Sequence, residues 1–364
     1  MENRKVLVGM SGGVDSAAAA LLLRDAGWEP VGCTLRLYDN EDIGEPVEGT
    51  CCSLEAVEDA RNAARRLGMD HYTFNFTRPF RECVIDDFVA GYLEGRTPNP
   101  CIQCNRFIKF DALLRRAEEL DIGHIATGHY ARVDYDEVSN RWRLLRGKDR
   151  RKDQSYVLYP LSQKVLSRLL LPVGEYDKPS IRAMATEAGF SSAGKPDSQD
   201  ICFVPDGDYA GFLQRYGHVE LVPGDFVDEE GQVLGRHRGL PCYTTGQRRG
   251  LGISADRPLY VLRKDEVRNQ VVLGDECRLY SRTVWAKDFN WISLPPQGRP
   301  LPVTAKTRYS QTEAAGTLYP EPDGTVRVEF DEPQRAVTRG QSLVCYHGDN
   351  GELVVGGGII CRAE

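Results

Sequence analysis

A chain of 364 residues is too long for one compact core and implies two or three domains. Its formal net charge of −7 excludes indiscriminate coating of nucleic acid but leaves room for local basic patches. Eleven cysteines scattered over the whole length, no apolar run long enough to span a bilayer and no signal-peptide pattern argue against a disulfide framework and a membrane anchor, so the expected compartment is the cytoplasm.

Val6-Leu7-Val8-Gly9-Met10 reads as a buried strand, Ser11-Gly12-Gly13-Val14-Asp15-Ser16 as a glycine-rich turn, and Ala17-Ala18-Ala19-Ala20-Leu21-Leu22-Leu23 as a helix. Gly12 and Gly13 let backbone amides approach an anion, Ser11 and Ser16 add hydroxyl donors, and the helix N-terminus adds its positive dipole end. No Gly-Lys-Ser/Thr follows, so this phosphate cradle is not a Walker A loop. A second strand spans Pro30 to Leu37, and an acidic segment then ends in Cys51-Cys52. Ser53 is expected to cap a helix that carries Glu55, Glu58 and Asp59 early, carries Arg61, Arg65 and Arg66 late, and stops at Gly68. A strand at Tyr72 to Phe76, helices from Pro79 to about Leu93 and from about Asn105 to Leu120, and a strand at Ile125 to Gly128 complete an α/β, doubly wound parallel sheet. Ligands of such sheets bind beyond the strand C-termini, where the Ser11 turn, Leu35 and Thr127-Gly128-His129 all lie. Helical patterns continue over Ser155 to Leu171 and Pro179 to Gly189, and Ser191 to Gln199 is a polar loop. Beyond about Pro205 short alternating runs separated by Gly, Pro, Asp and Asn predict two small β-rich domains. The expected division is residues 1–207, 208–282 and 283–364, the last a β-barrel.

Asn99-Pro100-Cys101-Ile102-Gln103-Cys104 sets a Cys-x-x-Cys at the approach to a helix start, where thiolate is stabilised. Half a zinc site, a redox pair, an iron–sulfur anchor and two inert cysteines are all compatible with that spacing. Cys202 lies far away, in Ser198-Gln199-Asp200-Ile201-Cys202. Cys33 falls on a buried strand, and Cys83, Cys242, Cys277, Cys345 and Cys361 lack motif context and read as structural. Basic residues crowd Arg141, Arg143, Arg146, Lys148, Arg150, Arg151 and Lys152, with smaller groups at Arg236-His237-Arg238 and Arg248-Arg249, suited to phosphate contacts. Trp285, Phe289 and Trp291 read as the core of a small β domain.

The Ser-Gly-Gly-x-Asp-Ser loop resembles that of the PP-loop ATP pyrophosphatases, whose fold is that of the adenine nucleotide α hydrolases. With Thr97-Pro98-Asn99-Pro100, Thr127-Gly128-His129-Tyr130, Lys152-Asp153-Gln154-Ser155-Tyr156, Ser198 to Cys202 and Thr245-Gly246-Gln247-Arg248-Arg249-Gly250, the pattern resembles the tRNA-specific 2-thiouridylase (MnmA) family over nearly the entire chain. The resemblance implies exchange of the C2 oxygen of the wobble uridine (position 34) of tRNA for sulfur, with ATP cleaved to AMP and pyrophosphate. It places Gly9, Met10, Ser11, Gly12, Gly13, Val14, Asp15, Ser16, Leu35 and Gly128 at ATP, with Asp15 a candidate ligand for Mg2+. Asn99, Pro100 and Cys101 fall at the target base; His129, Lys152, Asp153, Gln154, Arg308, Tyr309 and Gln341 fall at tRNA. The resemblance further implies that Cys202 carries a persulfide and that Cys104 is the partner thiol that forms a transient disulfide with it. The commonest family members carry aspartate where this chain has Cys101. Cys101, Cys104 and Cys202 therefore also resemble the three-cysteine anchor of an iron–sulfur (4Fe-4S) cluster, and the persulfide and cluster routes both stay open. Implied partners are tRNAs accepting Lys, Glu and Gln, and a sulfur donor such as a cysteine desulfurase or a relay protein, with no membrane. Rival readings are a PP-loop ligase adenylating a small molecule and a non-enzymatic iron–sulfur RNA-binding protein.

Overall fold

A computed structural model describes residues 4–38, 54–195 and 201–364. The first part of the chain holds β1 (Lys5–Gly9), β2 (Glu29–Arg36), β3 (His71–Asn75), β4 (His124–Thr127), β5 (Ala131–Asp136), β6 (Arg141–Arg146) and β7 (Leu169–Leu170). Its helices are α1 (Val14–Asp25), α2 (Leu54–Leu67), α3 (residues 77–93), α4 (residues 100–119) and α5 (Lys178–Glu187). Strands pair in the order β3-β2-β1-β4-β7, all parallel. Val6, Leu7 and Val8 on the central strand have no exposed surface, as a strand covered on both faces requires. Leu7 packs with Phe110 and Leu113 of α4 on one face, and Val6 and Val8 pack with Ala17 and Ala20 of α1 and Ala60 and Ala64 of α2 on the other. The doubly wound sheet expected from the sequence is therefore present.

Two local expectations need correction. Ser155 to Leu171 does not form a helix: Ser155–Val157 makes one 3-10 turn, Gln163–Leu166 a single helical turn, and Leu169–Leu170 a short strand. Burial on all sides replaces the helical face there. Tyr156, Leu158 and Tyr159 are at most 4% exposed, and the Tyr156 hydroxyl donates to the Ser342 carbonyl (2.8 Å) in a distant element. The helix expected from about Asn105 begins instead at Pro100, with Asn99 as its cap. The Ser53 cap and Cys51-Cys52 lie outside the described residues.

After α6 (Tyr209–Arg215) come β8 (Gly224–Val227), β9 (Val233–His237), β10 (Tyr260–Asp265) and β11 (Gln270–Gly274), a sheet of order β10-β11-β8-β9. The last part holds β12 (Tyr280–Asn290), β13 (Leu301–Lys306), β14 (Ala314–Pro320), β15 (Val326–Arg335), β16 (Ser342–His347) and β17 (Leu353–Ala363). These pair in the order β12-β15-β14-β13-β16-β17, and β17 returns to β12, so six strands close a barrel. Phe289 and Trp291 pack against its core, as expected, whereas Trp285 does not join it and lies under the Arg362 guanidinium (4.5 Å). β6 pairs with β17 at Leu145 and Leu353, so the β5-β6 hairpin of the first part extends the barrel wall. Among the described residues no helix is long and apolar enough to cross a membrane.

A buried cation marks the contact between the central sheet and the first part of the chain. The ammonium of Lys264, on β10, sits 6.0 Å from the Tyr92 ring centre and has no hydrogen-bond partner among the described residues. Burial pulls its pKa down to about 8, against the opposing pull of Glu266. Between about pH 8 and 10.5 the unfolded chain holds a proton that the folded chain has released, so stability rises with pH across that window. Below it the folded protein carries the whole cost, roughly 3 kcal/mol. Lys264→Met, which keeps the apolar stem, is expected to raise the urea midpoint at pH 7 and to lose most of that advantage by pH 10. Equal midpoints at pH 7 would show the ammonium to be costless.

Candidate active site

A cavity of about 800 Å³ opens at the C-terminal edge of β1, β2 and β4. Its wall includes Gly9, Met10, Ser11, Gly13, Val14, Asp15 and Ser16, then Leu35 at the end of β2, and Gly128 and His129 beyond β4. Gly12 stands just behind this wall at φ +78°, and a Cβ there would lie 2.3 Å from the Ala56 carbonyl oxygen of α2, so only glycine fits the turn. The Ser16 hydroxyl accepts from the Ser11 amide (3.2 Å) and donates to the Gly13 carbonyl (3.0 Å). It thus braces the turn rather than standing free as a donor, contrary to the reading from sequence. The N-cap of α1, Gly13, makes no side-chain hydrogen bond to the helix. The first-turn amides therefore remain for an anion, and the helix dipole favours one there.

Asp15 is the charged centre of this wall. Its carboxylate accepts from the Lys178 ammonium at 2.7 and 2.8 Å and from the Tyr130 hydroxyl at 2.8 Å. Lys178 opens α5 and is 7% exposed, yet still reaches the cavity. Sequence reasoning missed it, because no local pattern marks a lysine whose partner lies 163 positions away. A single partly exposed carboxylate beside a phosphate cradle suits Mg2+, which is commonly held by one or two carboxylates plus substrate phosphates. Lys109, Arg151, Lys152 and Lys195 also line the cavity, Lys195 paired with Glu55 and Asp59 and Arg151 with Asp149.

The thiol segments meet this wall from two directions. Pro100 occupies the first turn of α4 and the Asn99 side chain accepts from the Cys101 amide (3.1 Å), so Cys101 and Cys104 share one helix face. Cys101 is exposed and Cys104 only 6% exposed, and a π-helical stretch, Cys104–Ala112, starts at the second thiol. Phe203 anchors the other segment by edge-to-face contacts with Phe80 (5.8 Å) and Phe88 (5.4 Å). The Tyr38 hydroxyl donates to the Cys202 carbonyl (2.8 Å). Cys101, Cys104 and Cys202 all line the cavity that holds the Ser11 turn. Yet among the described residues no three His, Cys, Asp or Glu side chains gather as a metal-ligand set. The three cysteines line one cavity, and the persulfide and cluster routes both draw on them. Ser198-Gln199-Asp200 lies outside the described residues.

The residues expected at tRNA divide into two groups. Lys152, Gln154, His129 and Tyr309 line the cavity, as do Pro100 and Cys101. Burial and nearby Lys109 pull the His129 imidazole down to about 3, so this ring is neutral near pH 7 and offers no cation. Tyr309 is 44% exposed and shares the cavity wall with Cys101, so the β13–β14 connection of the barrel reaches the cavity. Asp153, Arg308 and Gln341 are engaged elsewhere. Asp153 is 7% exposed and takes hydrogen bonds from Arg146, the Gly147 amide and Ser155. Arg308 donates to the Thr245 and Ala336 carbonyls, and Gln341 donates to the Thr97 carbonyl (2.7 Å), fastening the barrel to the loop before Asn99. The basic stretch is likewise largely consumed. Arg141 caps the Trp291 carbonyl, Arg143 pairs with Asp134, Arg146 with Asp153 and Glu313, and Lys148 with Glu175.

A serine–glycine phosphate turn at the edge of a doubly wound sheet, with a β-sheet module and a closed barrel behind it, defines a nucleotide-binding α/β protein with appended β modules. Family models match in that order: tRNA methyl transferase HUP domain over residues 4–206, tRNA methyl transferase PRC-barrel domain over 210–275, and aminomethyltransferase beta-barrel domain over 281–360. The tRNA-specific 2-thiouridylase MnmA of Acetivibrio thermocellus is 50% identical over 361 residues, covering 99% of this chain and 100% of that one. Those of Moorella thermoacetica (50% identity, 97% of this chain, 98% of that one) and Clostridioides difficile (46%, 98% and 98%) are similar throughout. The chain belongs to the MnmA family of tRNA-specific 2-thiouridylases.

Proposed function

We propose that the protein thiolates C2 of uridine 34 in tRNA, using ATP to activate the base and a cysteine persulfide to deliver sulfur. One observation carries this reading: two thiol segments nearly a hundred positions apart line the cavity that contains the phosphate turn. The α1 amides and Lys178 would hold the phosphates, and Asp15 would hold the accompanying Mg2+, which supplies charge neutralisation. A C2 oxygen is a poor leaving group. In the proposed sequence it attacks the α-phosphorus of ATP and pyrophosphate departs, leaving the adenylated base. The terminal sulfur of a Cys202 persulfide then attacks C2 and AMP leaves, so that the base is joined through two sulfurs to Cys202. The Cys104 thiolate attacks the Cys202 sulfur, the sulfur–sulfur bond to the base breaks, and its electron pair stays on the 2-thiouridine. A Cys104–Cys202 disulfide remains, to be reduced by an external thiol before the next persulfide is loaded. A single-stranded anticodon base can enter such a pocket for a few kcal/mol or less. The division into a catalytic part (1–207), a central RNA-binding part (208–282) and a barrel (283–364) serves this chemistry, the barrel adding Tyr309 beside Cys101.

The test is reconstitution. Purified protein, ATP, a persulfide donor and unmodified tRNA for Lys, Glu or Gln should yield 2-thiouridine at position 34 with AMP and pyrophosphate in equal amounts. A tRNA with cytidine at that position should stay unmodified. ATP cleavage that never places sulfur in RNA would refute the assignment.

A further inference from the structure

The turn Thr245-Gly246-Gln247-Arg248-Arg249 takes no part in the cavity, yet its construction is specific. Gly246 is held at φ +87°, where a Cβ would press to 2.7 Å on that of Ala336. Gln247 braces the turn on both sides. Its side-chain oxygen accepts from the Thr244 amide (3.1 Å), its side-chain nitrogen donates to the Arg249 carbonyl (3.0 Å), and its own carbonyl accepts from the Val261 amide (2.9 Å). A turn fixed by this many bonds presents two adjacent arginines outward, both exposed. Neither side chain has a hydrogen-bond or ion-pair partner among the described residues. Four other arginines of this part of the chain are paired: Arg236 faces Asp225, Arg257 faces Asp275, Arg263 faces Asp265 and Arg278 faces Glu229. Two uncompensated like charges on a rigid turn of a net acidic chain fit a polyanion.

The turn is also registered to the cavity. Arg308 donates to the Thr245 carbonyl (3.0 Å), and the next residue, Tyr309, lines the cavity. Arg248 is three residues beyond Thr245, so its Cα lies within about 11 Å of that anchor. With both arginine side chains extended, its guanidinium stands within roughly 35 Å of Tyr309. A nucleic-acid strand advances on the order of 3 Å per step, so phosphates at that range belong to the first dozen or so steps from a base in the cavity.

Building on the RNA reading above, we infer that Arg248 and Arg249 form a second RNA-binding element that grips the phosphate backbone of the same arm whose base enters the cavity. Arg308 is the strut that fixes the spacing between grip and cavity. The partner chemistry is backbone phosphate, without base reading.

The experiment compares wild type with Arg248→Ala/Arg249→Ala and Arg248→Lys/Arg249→Lys in the full chain. Binding of unmodified tRNA and of an isolated anticodon stem-loop is measured at several KCl concentrations, with ATP binding followed in parallel. The alanine pair should weaken both RNAs by about 10-fold or more and shallow the salt slope by about one to two, leaving ATP affinity unchanged; the lysine pair should restore most of the loss. Unchanged RNA binding by the alanine pair overturns the inference while the RNA reading stands. Weakened tRNA with unchanged stem-loop places the contact on another arm and also overturns it. A lysine pair as weak as the alanine pair removes the charge argument. Wild type that binds neither RNA sinks the RNA reading itself.

Discussion

Cys104→Ser should convert the enzyme into a trap: with ATP, a persulfide donor and tRNA, it is expected to accumulate a protein–RNA adduct that a reducing thiol releases as 2-thiouridylated tRNA. Cys202→Ser should form no adduct and no product. The distinction follows from the order of bond changes. Cys202 carries the sulfur that bonds to C2, so its loss leaves nothing to displace AMP. Cys104 acts only afterwards, on the disulfide that joins base and protein. A serine hydroxyl is hardly ionised near neutral pH and cannot open that disulfide, so turnover should fall by on the order of 10³-fold or more in both variants. Both should still bind ATP, because neither side chain belongs to the Ser11 turn. Denaturing electrophoresis with labelled tRNA, with and without dithiothreitol, reads the result. An adduct in the Cys202 variant, or free product from the Cys104 variant without added thiol, would reverse or remove the assigned roles. Cys101 supplies a control. It is exposed on the same helix face as Cys104, and the persulfide sequence does not use it, so Cys101→Ser should retain turnover.

The phosphate turn was readable because its signals are local: an apolar strand, two glycines, and a helix start within a dozen residues. That Cys104 and Cys202 face one cavity was readable only through the six-motif pattern, since spacing alone left the Cys-x-x-Cys ambiguous. What failed did so where long-range pairing decides. Arg143 and Arg146 sit in a charged strand whose partners are Asp134, Asp153 and Glu313, the last 167 residues away, so a basic run read as an RNA patch is mostly a set of internal ion pairs. The same charges hid the β5-β6 hairpin. Tyr156 to Tyr159 gave an apolar run that period alone could not separate from a helix, because the barrel residue that receives it, Ser342, lies far along the chain. Asn99-Pro100, taken as loop, is a capping residue followed by proline at the first helical position, a start signal that was present but placed five residues late.

Gly128→Ala should cost the protein its nucleotide while leaving it folded. Gly128 follows β4, directly behind the start of α1, and an added Cβ would lie 2.6 Å from the Asp15 carbonyl carbon, 2.7 Å from the Ser16 amide nitrogen and 2.8 Å from the Asp15 carbonyl oxygen. All three are backbone atoms, so no side-chain rotation relieves the contact. Either the Ser11 turn moves outward into the space meant for phosphate, or β4 retreats, and β4 is hydrogen-bonded on both sides by β1 and β7. The turn has the freer side, since it borders the cavity. Overpacking of this kind costs about 1–3 kcal/mol of stability. The displaced amides of α1 lose the alignment on which anion binding depends, and Asp15 is carried away from Lys178 and Tyr130. ATP affinity is expected to fall by roughly 30-fold or more and turnover by at least 10²-fold, with the unfolding midpoint only modestly lowered. Equilibrium dialysis with ATP, beside urea unfolding of the same preparation, separates the two effects. Wild-type affinity in a stably folded variant would show that the turn has slack at this contact and that its amides are not the phosphate ligands.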